Sequence, residues 1–267
     1  MNSAIHLAGD VLLVAGGATG IGAETARLWV RRGGRVAIGD INAADGQKLA
    51  DELGAENALY TSLDVRSAGA CADAVRATVE RFGSVKSLLN TAIKMNPGPL
   101  LEQHDEEWSA SLDVGLTGYL RTGQAFARWL VDHKQPGSIV NISSISATQP
   151  YDGAGPYSVV KAGVTMLTEL MAIEWAPYGI RANSIAPGPV LTPLTAFLQD
   201  PAIRAARASA IPLGRIGSVQ DVAPLIVFLL SDDAGWITAE QVTIDGGVTK
   251  SVFKHLPGRV WGGKGAE

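Results

Sequence analysis

Hydrophobic positions in this chain follow two alternating periods. Short, largely apolar runs occupy residues 11–14, 35–40, 59–64, 85–90, 137–144, 181–186 and 241–245. They have strand length and lack the strict alternation of a sheet with one wet face, as expected of strands buried on both sides. Between them lie stretches with helical periodicity, at 23–32, 43–53, 68–82, 105–133, 157–176 and 219–231. Strand and helix in strict alternation predict an α/β fold, a doubly wound parallel sheet with ligands at the C-terminal strand ends.

Breakers sit where this scheme needs them. Gly33-Gly34 stops the first helix, Gln135-Pro136-Gly137 turns into a strand, and Pro156 precedes the helix that begins at Tyr157. Residues 193–211, rich in Leu and Ala and carrying Phe197, predict a mobile lid over an apolar substrate. We expect one catalytic and dinucleotide-binding domain over 1–250, with the lid at about 190–215. A tail at 251–267, with Trp261, is expected to be disordered or to dock on another subunit. No internal repeat or linker separates a second domain.

Composition narrows the class. The 267 residues are 46% hydrophobic and 18% charged, which suits a soluble protein with a sizeable core. A net charge of −4 and a pI near 5.6 offer no electrostatic footprint for nucleic acid or an anionic membrane. Cys71 is the sole cysteine, so no intrachain disulfide is available and a cytoplasmic location fits. No signal peptide or membrane-spanning stretch is evident. The four histidines are scattered without metal-ligand spacing.

The candidate chemistry lies in three places. Ala15-Gly16-Gly17-Ala18-Thr19-Gly20-Ile21-Gly22 joins the first strand to the first helix. Its glycines let the backbone approach a phosphate at a helix N-terminus, although the spacing is not G-x-G-x-x-G. Asp40 ends the second strand, where a carboxylate accepts from an adenosine ribose and repels a 2′-phosphate. Thr19, Ile41 and Asn42 bring no cation to neutralise that phosphate, which favours NAD over NADP. Asp64-Val65 lies where an adenine ring can dock. Tyr157 and Lys161, four apart on a helix, have Cβ atoms roughly 5–6 Å apart on one face. The lysine charge is expected to favour the phenolate, making the pair a general acid/base for an alcohol or ketone oxygen. The Ser144 hydroxyl is placed to meet the same oxygen. Substrate-lining candidates are Ser146, Tyr151, Leu194 and Phe197.

These residues in this order resemble the short-chain dehydrogenase/reductase family over roughly residues 8–250. The matches are Gly16…Gly20-Ile21-Gly22, Asp64-Val65, Ser144, Tyr157…Lys161, Pro187-Gly188 and Asp245-Gly246-Gly247. The resemblance implies a single Rossmann-type domain with a parallel sheet of about seven strands, and hydride transfer between a nicotinamide and a secondary alcohol or ketone. It implies that Ser144 polarises the substrate oxygen, that Tyr157 exchanges its proton, and that Lys161 also holds the nicotinamide ribose. Asn90 and Ala92 match cofactor-contacting positions, and Val190 and Thr192 match positions that hold the carboxamide. It further implies homotetramers or homodimers that pair the two long helices. Four positions depart from the family pattern. Ala15 replaces a threonine, Thr91 and Ile93 replace the second asparagine and the glycine of Asn-Asn-Ala-Gly, and Gly115 stands where the family has a fourth catalytic residue, asparagine. The favoured reading is an NAD-dependent oxidoreductase of apolar or cyclic alcohols and ketones. The alternatives are a non-catalytic NAD-binding protein and a 3-oxoacyl reductase, the latter disfavoured by Asp40 and the acidic pI.

Overall fold

In the computed structural model, which describes residues 5–251, the apolar runs form one parallel sheet of seven strands. These are β1 (Val11–Ala15), β2 (Arg35–Asp40), β3 (Ala58–Ser62), β4 (Ser87–Asn90), β5 (Gly137–Ile142), β6 (Ile180–Pro187) and β7 (Gln241–Ile244). Their order is β3-β2-β1-β4-β5-β6-β7, so the direction of winding reverses between β1 and β4. The helices are α1 (Gly20–Arg31), α2 (Ala43–Leu53), α3 (Ala68–Phe82), α4 (Asp105–Leu112), α5 (Gly118–Asp132), α6 (Tyr157–Trp175), α7 (Pro201–Ala210) and α8 (Val219–Leu230). The tail beyond Ser251, with Trp261, lies outside the described residues.

Period-two geometry divides the strands between two cores. Leu12, Val14, Ile38, Leu89 and Val140 face Ala26 and Trp29 of α1 and Val222 and Ile226 of α8. Their neighbours Leu13, Ala37, Leu88 and Ile139 face Val75 of α3, Phe126 and Leu130 of α5 and Met171 of α6. Both faces of β1, β4 and β5 are therefore buried, and their sequences show no polar alternation.

The stretch 105–133 is not one regular helix. Residues Asp113–Thr117, centred on Gly115, form a π-helical turn between α4 and α5. The extra residue per turn bulges the helix towards α6, a distortion that often accompanies a functional site. Strand 137–144 also ends early, at Ile142. The Ser143 hydroxyl donates to the Lys161 carbonyl (3.1 Å), and Ser144 caps a short 3₁₀ turn, Ile145–Ala147. Residues 193–211, expected from the sequence to form a lid, hold a 3₁₀ segment, Pro193–Gln199, and α7, whose N-terminus is capped by Asp200.

Asn90 is buried at the end of β4, and its side chain turns away from the C-terminal cleft. Its Nδ2 donates to Asn141 Oδ1 (2.8 Å), and its Oδ1 accepts from Thr122 Oγ1 (2.6 Å). Asn141 in turn donates to Thr168 Oγ1 (2.9 Å), so a buried polar chain ties α5, β4, β5 and α6 together. The side chain read from sequence as a cofactor contact is thus committed to the scaffold. Removing a member of such a chain strands its partners without water. Asn90→Ala is predicted to lose about 2 kcal/mol in denaturant unfolding. An unchanged midpoint and slope would show that the chain carries no stability.

Candidate active site

A cavity of about 840 Å³ opens at the C-terminal ends of β1 and β4, where the winding reverses. One wall is the glycine loop. Gly16 has φ +87°, and a Cβ there would lie 2.6 Å from the Ala92 amide nitrogen, so no side chain fits. Thr91 Oγ1 donates to the Gly16 carbonyl (2.6 Å) and stitches this loop to the end of β4. Asp40 completes the turn: its Oδ2 accepts from the Ala18 amide (3.0 Å) and its Oδ1 from the Asn42 amide (2.9 Å). Asn42, Ser67 and Ser218 cap α2, α3 and α8 with their side chains, whereas Thr19 gives α1 no such cap. The first-turn amides of α1 are thereby left to an anion.

Most of the proposed cofactor contacts lie along this cavity. Thr19, Gly20, Ile21 and Gly22 line the loop side; Asp40, Ile41, Asp64 and Val65 line one end. Ala92, Tyr157 and Lys161 lie on the walls with Pro187, Gly188, Val190 and Thr192 from the end of β6 onward. At Gly188, a Cβ would lie 2.7 Å from the Asp245 Cβ, which explains why the two glycine-containing motifs occur as a pair. A glycine cradle, uncapped helix amides and an acid at the far end fit an adenine dinucleotide. The sequence reading omitted Arg66, Lys94, Met95, Val114 and Pro193, all of which line the cavity. Arg66 is held by Asp64 in a bidentate ion pair, with Nη2–Oδ2 at 2.7 Å. Lys94 and Met95 belong to the loop 91–99, whose position after β4 places it beside the cavity although it has no periodic signal to single out these side chains. Of the substrate-lining candidates, Leu194 and Ser144 line the cavity. Ser146 is buried beside it, donating its amide to Ser144 Oγ (3.0 Å), while Tyr151 and Phe197 are about half exposed outside that lining. Arg207 stacks on the Phe197 ring, 5.2 Å from its centroid.

The reactive corner is formed by the turn after β5 and the start of α6. Ser144 accepts from the Ser146 amide, which leaves its own proton free for the corner. Lys161 is 2% exposed, and its Nζ donates to the Ile142 carbonyl (2.7 Å). The Nζ lies 5.8 Å from the centre of the Tyr157 ring. Burial lowers the Lys161 pKa to about 7. Burial also raises the Tyr157 phenol above its ordinary value, while hydrogen bonding with Ser144 acts in the opposite direction. This corrects the sequence expectation for the chain without ligand. Spacing on the helix brings lysine and tyrosine together, but burial sets the direction of both shifts. Cys71, buried beneath the cavity floor with its thiol pushed up to about 11, has no role as a nucleophile.

Gly115 and Ile93 are structurally coupled. A Cβ at 115 would lie 2.6 Å from Val160 Cγ1 and 2.7 Å from Ile93 Cδ1. The volume an asparagine needs is therefore filled by two branched side chains. Among the described residues, no group of His, Cys, Asp and Glu could hold a metal ion, and no helix is long and apolar enough to cross a membrane.

Two predictions follow from this packing. Gly115→Asn alone is overpacked and should lose roughly 1–3 kcal/mol, largely recovered when Ile93→Ala and Val160→Ala are added. Thermal unfolding of the single and triple variants tests this, and equal stability of the two would refute the coupling. Lys161 gives the second. Its folded pKa, about 7, lies below the ordinary 10.5, so between those values the unfolded chain binds the extra proton. The burial penalty is complete below pH 7 and is relieved as pH rises towards 10.5. Lys161→Met should therefore be more stable than the parent at about pH 6, with the gap closing by about pH 10. A gap independent of pH would contradict this.

A family model described as enoyl-(acyl carrier protein) reductase matches residues 16–249. The chain is 37% identical to 2,5-dichloro-2,5-cyclohexadiene-1,4-diol dehydrogenase LinX of Sphingobium indicum, over 91% of this chain and 97% of that protein. It is 35% identical to trans-4-hydroxycyclohexanecarboxylate dehydrogenase of Sinomonas cyclohexanicum, over 91% of this chain and 94% of that protein. The crystal structure of gox2181 is similar with a TM-score of 0.85 at 34% identity, covering 92% of this chain and 97% of that one. The family match runs through the glycine loop, the Ser144, Tyr157 and Lys161 corner and both glycine-containing strand ends, and the sheet has the same doubly wound form. The chain belongs to the short-chain dehydrogenase/reductase family and is an oxidoreductase of that kind.

Proposed function

We propose that this oxidoreductase uses NAD to interconvert a secondary alcohol and its ketone on an apolar, cyclic substrate. The observation that carries this reading is the convergence of Ser144, Tyr157 and Lys161 on one cavity whose other end is closed by Asp40. In that reading the uncapped start of α1 and the glycine loop hold the pyrophosphate, and Asp40 holds the adenosine ribose. Lys161 binds the second ribose, and Val190 and Thr192 bind the carboxamide. Bound NAD supplies the hydride acceptor or donor.

The chain's own residues manage the proton. Ser144 donates to the substrate oxygen and fixes its position beside the Tyr157 hydroxyl. The phenol donates when a ketone is reduced and accepts when an alcohol is oxidised. Because burial holds Tyr157 in its protonated form, ketone reduction is favoured at lower pH and alcohol oxidation gains as pH rises. Ile93, Met95, Val114 and Leu194 give the cavity apolar walls suited to a carbocycle. The two relatives named above act on cyclohexadiene and cyclohexane alcohols by their names, which supports the same substrate class. Arg66, which lines the cavity with Asp40, is paired with Asp64, which supports the preference for NAD. Half-exposed Val159, Met166, Leu170 and Ile173 on α6 support a homodimer or homotetramer built through that helix. The single buried thiol suits a reducing cytoplasm.

A non-catalytic NAD-binding role draws support from Gly115, which lacks the family's asparagine. One experiment separates the two readings: NADH formation over a panel of cyclic secondary alcohols, with NAD binding measured by calorimetry. We expect turnover, NAD preferred over NADP by about 100-fold in kcat/KM, and a loss of about 10³-fold in kcat for Tyr157→Phe. NAD binding without turnover across the panel supports the second reading, and a fully active Tyr157→Phe removes the first.

A further inference from the structure

Beneath the reactive corner lies a second phenol, on the stretch 105–133 that the periodicity assigns to a helix. Tyr119, in the first turn of α5 and one turn beyond Gly115, is 1% exposed. Its hydroxyl donates to the Ile142 carbonyl (3.4 Å) and accepts from Lys161 Nζ (3.5 Å). Lys161 Nζ also donates to that carbonyl at 2.7 Å, so the three groups form a closed triangle. The Nζ lies 5.3 Å from the Tyr119 ring centre and 5.8 Å from the Tyr157 ring centre, which places the ammonium near two aromatic rings.

A phenol this deep needs a reason for its oxygen. Burying a hydroxyl costs free energy unless it is well bonded, and the bond to Ile142 is long. Phenylalanine would fill the same volume without that cost. The hydroxyl cannot itself exchange protons, because burial pushes its ionisation far up. What remains is a fixed dipole and a π-face turned to the lysine. The rest of the surroundings offer Lys161 little. Ser143 spends its hydroxyl on the Lys161 carbonyl and on Thr165, Ser144 faces Tyr157, and Gly115 has no side chain. No acid acts on the lysine, and burial alone lowers its pKa.

We propose that Tyr119 is a positioning residue that holds Lys161 Nζ against the Ile142 carbonyl and beneath Tyr157, the support that Gly115 cannot give. For its catalytic consequence this rests on the dehydrogenase reading; for the lysine itself it does not. Tyr119 and Gly115 thus make one alternative arrangement. The π-helical turn brings the helix close to α6, Ile93 and Val160 fill the space beside the glycine, and the phenol one turn on reaches the lysine from below.

The test uses the full chain without cofactor. Lysines labelled with ¹³C at Cε are titrated by NMR, with the Lys161 signal identified by its absence in Lys161→Arg. In the parent, Lys161 should titrate near 7. In Tyr119→Phe the step should fall by about one pH unit, tenfold in proton affinity, with the fold retained. A shift below about 0.2 units in the folded variant overturns the proposal. Should Tyr119→Phe fail to fold, the parent still decides: the Lys161 Cε protons must show a nuclear Overhauser effect to the Tyr119 ring, and its absence overturns the proposal too. In turnover, Tyr119→Phe should lower kcat about tenfold while the KM for the alcohol changes less than about twofold. The titration needs neither NAD nor substrate, so failure of the dehydrogenase reading and failure of this one are seen separately.

Discussion

Taking an ammonium out of water is among the most expensive operations in a protein interior, and this chain performs it at the end of β5, with Lys161 enclosed by Ile142, Tyr119 and Tyr157. The surrounding elements make that burial possible. β5 must end at Ile142 to leave a carbonyl free for the lysine, and Ser143 and Ser144 must leave the strand to brace α6 and face the phenol. α6 must begin at Tyr157 so that tyrosine and lysine share a face. The scaffold that keeps these ends in register is the buried chain of Thr122, Asn90, Asn141 and Thr168, which links both strands to both long helices.

The same cavity combines two contrasting environments. At the glycine loop, the uncapped start of α1 favours anions, and Asp40 braces the loop through the Ala18 amide. At the reactive corner, low polarity suppresses charge on both the lysine and the phenol. Such a corner costs stability and serves proton exchange, a pattern common where activity and stability conflict. Gly115 belongs to this balance. It is not a simple loss, because Ile93 and Val160 occupy the vacated volume and the π-helical turn keeps the helix close to α6.

Much of this was legible before any coordinates. Short, largely apolar runs identified all seven strands, most plainly β1, β4 and β5, where both faces are covered and no polar face confuses the pattern. The glycine loop, Asp40 and the Tyr157/Lys161 spacing were equally visible, since local geometry alone brings them together. Three features were not. The face to which Asn90 points depends on the pleat at the end of β4 and on its partner Asn141, a residue distant in sequence. The π-helical turn keeps an apolar stripe on both sides, so helical period conceals it. The direction of the Tyr157 shift depends on how completely the corner is desolvated, and a spacing of four residues carries no information about burial. Tyr119 belongs with these, since its reach to Lys161 spans helices that only tertiary packing aligns.

The account is tested most directly by the ionisation of Tyr157 in the cofactor-free protein. Near-ultraviolet phenolate absorbance is followed against pH in the parent and in Tyr157→Phe, and the difference isolates one group. If desolvation governs the corner, the Tyr157 step lies above pH 10, the ordinary value for a phenol. A step well below 10 would show that the lysine charge prevails over burial, contrary to the structure described above.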